Sequence, residues 1–207
     1  MPKSTFWPGY YDIVILPPPD VRDHTIALSR QLQNDGAKFV LGRRKYMPHI
    51  SLYHIPVKRE RFDSFAVAVA AVAQSHNGGV LKLSGIEMPV VMTDKPSWLK
   101  NLHRDIVRET LPFFDWEYGV EDLWSFDYMP ARLKPRAKGY LKKFGSPLIE
   151  ETFRPHITLT SFVDKTVASK ISAPKVEPLA FEVTEIAICE LGPSHSCQRI
   201  TGKFKLA

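Results

Sequence analysis

The apolar and polar positions alternate between a period near two and a period near 3.6. "YYDIVILPP" (10–18) is an apolar, β-branched run closed by prolines, which predicts a strand. Over 19–36, Val21, Ile26, Leu28 and Leu32 share a rough helical face and Gly36 supplies a stop, which predicts a helix. A strand over 47–55 follows, then a helix over about 58–76 that runs through "FAVAVAAVA" until "HNGG" ends it. Two short strands, "VLKLSGIEM" (80–88) and "PVVMT" (89–93), precede a helix over about 97–112. Its core-facing stripe is Trp98, Leu99, Leu102, Ile106 and Val107. Residues 113–130 are aromatic and acidic and show no clear period. A strand over 153–162, a short helix over "DKTVASKISA" (164–173) and two closing strands, "LAFEVTEIAICEL" (179–191) and "QRITGKFKLA" (198–207), complete the chain.

That order is approximately the same series of elements run twice, a duplication of fold without a sequence repeat. It predicts an α+β architecture of two pseudo-symmetric lobes, each of mostly antiparallel sheet, with helices on the outside and a central cleft. The lobes would be interleaved in a single domain over 1–207. The strands over 47–55 and 153–162 would occupy equivalent places and face each other across the cleft.

Those two strands carry the chemistry. In "MPHISLYHI", strict alternation points His49, Ser51 and Tyr53 one way and Ile50, Leu52 and His54 the other. In "FRPHITLTSF", His156, Thr158 and Thr160 repeat the pattern. With 44% hydrophobic residues, 24 Ser plus Thr and seven histidines, two His-apolar-Ser/Thr-apolar segments arise by chance with a frequency of roughly 1%. Requiring the preceding prolines, Pro48 and Pro155, lowers this to about one in ten thousand, so the pair is a signal where either member alone is not. Two imidazoles at one cleft suit phosphoester chemistry. One, neutral, takes a proton from an attacking water or hydroxyl; the other, protonated, gives one to the leaving oxygen. Ser51 and Thr158 can donate to the non-bridging oxygens, where charge builds up. This chemistry needs no metal and no cofactor.

Composition and charge narrow the partners. Across 207 residues, 24% charged side chains are those of an ordinary globular protein, and a formal charge of +6 leans toward an anionic partner. The first residues lack the apolar core and cleavage site of a signal peptide, and "FAVAVAAVA" (65–73) is too short to span a bilayer. A cytoplasmic monomer without membrane attachment is expected. Cys189 and Cys197 could face each other across a hairpin but are expected to be free thiols; with His195 they make three possible ligands, at a spacing that fits no standard zinc site.

Further candidates surround the motifs. In "RLKPRAKGYLKK" (132–143), Arg132, Lys134, Arg136 and Lys138 would share one face of an extended segment, and Pro135 disfavours a helix interior. Such a strip is either a clamp for a polyanion or a solvated edge guarded by charge. Arg154 is placed to approach a phosphate, and Tyr53 and Thr160 either line the cleft or merely suit strands. Phe6, Trp7, Tyr10 and Tyr11 either stack a base or pack in the core. His24, His76 and His103 read as structural.

The paired His49-Ile50-Ser51-Leu52 and His156-Ile157-Thr158-Leu159, with "YYDIVIL", "WLKNLH" and "FRPHITL", make the chain resemble the 2H phosphoesterase superfamily over nearly its whole length. This superfamily includes 2′-5′ RNA ligase-like proteins and cyclic nucleotide phosphodiesterases. "KKFGSPLIEETFRPHITLT" also resembles a branch found in phosphonate-utilisation gene sets. The resemblance implies that His49 and His156 are the general acid–base pair and that Ser51 and Thr158 bind phosphate, with Ser51 standing where Thr is commoner. It implies a substrate that is RNA or a nucleotide carrying a 2′,3′-cyclic phosphate or a 2′-5′ linkage. Cyclic phosphodiesterase, 2′-5′ phosphodiesterase or RNA ligase, and 3′ exonuclease activities all remain open at this point. So does a non-catalytic RNA- or nucleotide-binding module, although binding alone calls for cations more than for a titrating pair.

Overall fold

The computed structural model describes residues 8–126 and 129–207; Phe6 and Trp7, named above as stacking candidates, lie outside them. The chain forms strand β1 (Tyr10–Ile15), helix α1 (Pro19–Gln31), β2 (Ile50–Pro56), α2 (Phe62–Gln74), β3 (Gly79–Glu87), β4 (Val90–Thr93) and α3 (Ser97–Thr110). Then come α4 (Lys134–Phe144), β5 (His156–Thr158), β6 (Ala180–Val183), β7 (Glu185–Gly192) and β8 (Ser196–Lys205). The strands form one sheet in the order β6-β3-β4-β5-β2-β1-β7-β8, with antiparallel pairing throughout.

This is the expected α+β architecture, and its symmetry is visible in the strand order. β2, β1, β7 and β8 make one half and β5, β4, β3 and β6 the other, each with a histidine strand innermost. The halves join through the pair Ile50–Ile157, so the two histidine strands lie side by side at the centre of a continuous sheet. The run 179–191, expected as one strand, divides at Thr184: β6 pairs with β3 at one edge and β7 pairs with β1 in the other half. The sheet therefore curls until its two ends approach, and the Leu206 amide donates to the Thr184 carbonyl at 2.9 Å.

One face of the sheet is closed by helices. Ile13, Ile15, Ile50, Ile55, Leu81, Val91 and Ile157 pack with Val21 and Leu28 of α1, Phe65 and Val69 of α2, and Leu99, Leu102 and Ile106 of α3. The three α3 side chains are fully buried, each contributing about 1.5–3 kcal/mol of transfer free energy.

Three local expectations are corrected. The basic stretch is helical, because Pro135 falls in the first turn of α4, where its missing N–H has no helical partner to lose. Gly145 ends that helix at φ 67°, and a Cβ there would lie 1.9 Å from the Phe114 ring. The expected helix over 164–173 is a short 3₁₀ helix, Lys165–Ser169. Cys189 and Cys197 are joined by a disulfide across the β7–β8 hairpin rather than free.

Candidate functional site

The register of β2 builds the site. Tyr53 pairs with Ile13 and Ser51 with Val14, so Leu52 is an extra residue in β2. Such a bulge reverses the alternation of side chains beyond it. His54, which alternation assigned to the far face, thus shares the face of Ser51 and sits opposite Asp12 of β1. Tyr53 turns the other way, into the core, where its hydroxyl donates to the Phe144 carbonyl at 2.5 Å. The bulge has its own support beneath: Nδ1 of His103, on α3, donates to the Leu52 carbonyl at 2.8 Å.

Pairing of Ile50 with Ile157 sets His49 opposite Thr158 and Ser51 opposite His156. The two isoleucines are wholly buried among the helices, so the four polar side chains stand on the helix-free face, half-buried and open to solvent. Directly opposed Cβ atoms in such a pair lie about 5 Å apart and diagonal ones about 7–8 Å, the span of a single phosphoryl group with its substituents. The histidines are the diagonal corners.

Both rings are held the same way. Nδ1 of His49 donates to the Met47 carbonyl at 2.7 Å, and Nδ1 of His156 donates to the Arg154 carbonyl at 2.6 Å. In each motif the acceptor lies two residues back, across the proline. The proline holds its predecessor extended, which brings that carbonyl back to the ring. With Nδ1 occupied, Nε2 of each ring is left for chemistry.

Charge distinguishes the halves. Asp12 is fully buried; its Oδ2 accepts the Ser51 hydroxyl at 2.6 Å and lies 3.0 Å from Nε2 of His54 and 3.6 Å from Nε2 of His49. In the other half, Thr158 pairs with Val90 and His156 with Met92, and β4 carries no carboxylate. Burial lowers the His49 pKa from its ordinary 6.5, while Asp12 and the Met47 carbonyl push it back up. Burial also lowers His156; the Arg154 carbonyl opposes this, and His49, the Arg154 guanidinium and His54 push it further down. Beyond His54 the face continues as a ring-lined wall. His195 stacks on His54 at 5.0 Å and on Trp124 at 4.7 Å, with Tyr10 stacked on Tyr118 at 5.5 Å. Burial holds His195 well below the ordinary histidine range.

The structure thus brings His49, Ser51, His156 and Thr158 together. Thr160 is instead buried, donating to the Phe39 carbonyl at 2.7 Å. Arg154 pairs through its guanidinium with Glu87. Tyr11 packs on Phe62 and Phe65, on the helix side of the sheet. Arg132 lies in a 3₁₀ turn (Ala131–Leu133) before α4, and on helical α4 residues two apart point about 200° from each other, so Arg132, Lys134, Arg136 and Lys138 form no single stripe. Arg136 pairs with Glu151, and the Lys138 ammonium lies 6.0 Å from the centre of the Phe126 ring. Sequence reasoning passed over Asp12, placed His54 on the far face and weighed His195 only as a metal ligand. A carboxylate in the middle of "YYDIVIL" was a usable signal, since a charge in a buried strand needs a partner; the two histidines gave none. Among the described residues, no group of three or more His, Cys, Asp or Glu could hold a metal ion, and no helix is long and apolar enough to cross a membrane.

Comparison with solved structures agrees with this architecture. The chain is similar to TT0787 of Thermus thermophilus (TM-score 0.59, 18% identity, 95% of this chain and 97% of that one). It is similar to a protein described as a phosphoesterase (TM-score 0.56, 16% identity, 97% and 99%). It is also similar to E. coli LigT complexed with 3′-AMP (TM-score 0.56, 15% identity, 96% and 98%). At these identities the likeness is one of fold, the fold of the 2H phosphoesterases. No curated protein matches the sequence. Residues 58–190, more than half of the chain and including the second motif though not the first, match the family described as "Protein of unknown function (DUF1045)", and the chain belongs to that family.

Proposed function

We propose that the chain is a phosphoesterase that opens the 2′,3′-cyclic phosphate of a nucleotide or RNA end, with His49 and His156 as its acid–base pair. The observation that carries this reading is the diagonal placement of two histidines on one open face, each with Nδ1 anchored to a backbone carbonyl and Nε2 left over. One imidazole takes the proton of an attacking water, the other gives a proton to the departing ribose oxygen, and the Thr158 hydroxyl donates to a non-bridging oxygen. Each histidine is worth about two to four orders of magnitude in rate. No step calls for a metal ion.

LigT has been solved with 3′-AMP, which favours a nucleotide ligand here too. The helical α4, with its cations dispersed and two of them engaged, favours a mononucleotide or short end over a long strand held by its backbone. In this reading the protein acts alone, as a cytoplasmic monomer folded as one domain. Cleavage of a 2′-5′ linkage would use the same proton transfers. A panel of 2′,3′-cyclic nucleotides, cyclic-ended oligoribonucleotides and 2′-5′ dinucleotides, assayed in EDTA, tests the reading. Turnover of the cyclic mononucleotides is expected. Turnover of none of the three, or activity lost in EDTA and restored by zinc or manganese, overturns it.

A further inference from the structure

We infer that Asp12 divides the four site residues into a donor pair and an acceptor pair. His49 and Thr158 give hydrogens to the phosphoryl group and its departing oxygen, while Ser51 and His156 hold the attacking water. This deepens the phosphoesterase reading and rests on it.

The division follows from where hydrogens must sit. The Ser51 hydroxyl has one hydrogen, and it is committed to Oδ2 of Asp12 at 2.6 Å. Ser51 therefore presents lone pairs to the site and has no hydrogen left for a phosphate oxygen, unlike the donor role implied by the family resemblance. His49 is in the opposite situation. Its Nδ1–H is fixed on the Met47 carbonyl, and its Nε2 lies 3.6 Å from a buried carboxylate oxygen. A bare lone pair there faces negative charge, whereas an N–H there is attracted to it, so Asp12 favours the imidazolium. At 3.6 Å the contact is too long to hold that hydrogen, which stays free for a leaving group.

His156 lacks such a neighbour. Its Nδ1–H is on the Arg154 carbonyl, its partner across β4 is the apolar Met92, and the charged or titratable groups around it are His49, His54 of β2 and Arg154. All three, when cationic, favour a neutral ring with a lone pair on Nε2. Around His49 stand Asp12 of β1, His54 on its own strand, His195 from the β7–β8 turn and His156, and only Asp12 is anionic.

Two acceptors opposite each other, Ser51 Oγ and His156 Nε2, match the two hydrogens of one water. The reaction then balances. The water oxygen bonds to phosphorus, its proton passes to His156 Nε2, the bond from phosphorus to the ribose oxygen breaks, and that oxygen takes the proton of His49 Nε2. The histidines end with their protonation exchanged and reset through solvent. Diagonal corners also place base and acid on opposite sides of phosphorus, as in-line displacement requires. Asp12 touches none of the reacting atoms; it is a positioning residue.

The test is an NMR titration of the histidine ring protons in the free protein, with kcat/KM against pH beside it. The expected order is His49 above His156. Asp12→Asn should lower the His49 pKa by about one unit and move His156 much less. The alkaline limb of kcat/KM should shift to lower pH by the same amount. Ser51→Ala, which frees Oδ2, should move His49 in the opposite direction, upward, and keeps the inference testable if Asp12→Asn fails to fold. His156 titrating above His49, or His49 unmoved by both changes, overturns the division. Because the titration needs no substrate, a protein with the expected order that turns over nothing refutes the phosphoesterase reading alone.

Discussion

His103 supports the bulge that turns His54 toward the site, and it does so only as a neutral ring. It is buried, stacked on Phe153 with ring centres 3.8 Å apart, and its Nδ1–H is bonded to the Leu52 carbonyl. Its Nε2 has no partner among the described residues, so protonation would create a buried, unsatisfied cationic donor. Burial accordingly pushes the His103 pKa down to about 4 from an ordinary 6.5. The sign follows. As pH falls through 6.5 the unfolded chain takes up this proton, while the folded chain declines it until about 4, so stability is full above 6.5 and is lost through that window. A gap of roughly 2.5 pH units is worth about 3 kcal/mol near pH 4, and about 2 kcal/mol of that is gone by pH 5. Urea unfolding of the wild type and of His103→Gln at pH 7.5 and 5 isolates this contribution from other titrating groups. The stability difference between the two proteins should shrink by about 2 kcal/mol on acidification. A difference that stays constant would mean that His103 is not held neutral, and the account of the bulge's support would fall.

Three further outcomes are expected. Burial lowers both His49 and His156, so the bell-shaped kcat/KM profile should centre on the acid side of 6.5, and a profile centred near 8 would contradict the site's electrostatics. Tyr53→Phe should cost about 1–3 kcal/mol of stability by stranding the Phe144 carbonyl while leaving turnover intact, whereas a Tyr53 that lined the site would show the loss in kcat/KM. Changing Arg132, Lys134, Arg136 and Lys138 together to glutamine should leave mononucleotide turnover unchanged and the salt slope of single-strand binding nearly so, against a flattening of about 0.7 per phosphate contact for a true clamp.

The parts legible in the sequence are those governed by local period. The first histidine strand, the order of elements as far as α3 and the α+β class follow from alternation and helical stripes that the structure keeps, and the second histidine strand survives as the three residues of β5. What stayed hidden depends on partners distant in the chain. No feature of "HISLYHI" announces that Leu52 is an extra residue, because a bulge is defined by the count on β1 across from it. That single residue moves Tyr53 out of the site and His54 into it. Pro135 read as an interruption and is a helix start, since proline in the first turn and proline in an interior look alike without knowing where the helix begins. The run 179–191 is uniformly strand-like, and its division at Thr184 is forced by the curl of the whole sheet.

The central claim is that His49 and His156 act together on one phosphoryl group. The most direct measurement is hydrolysis of 2′,3′-cyclic AMP in EDTA by the wild type, His49→Ala, His156→Ala and the double variant, each checked for folding by its unfolding midpoint. Each single change should lower kcat by about two to four orders of magnitude, and the double change should cost little more than the worse single one, because acid and base serve the same step. Single variants that keep the wild-type rate, or losses that multiply in the double variant, would contradict a shared acid–base pair.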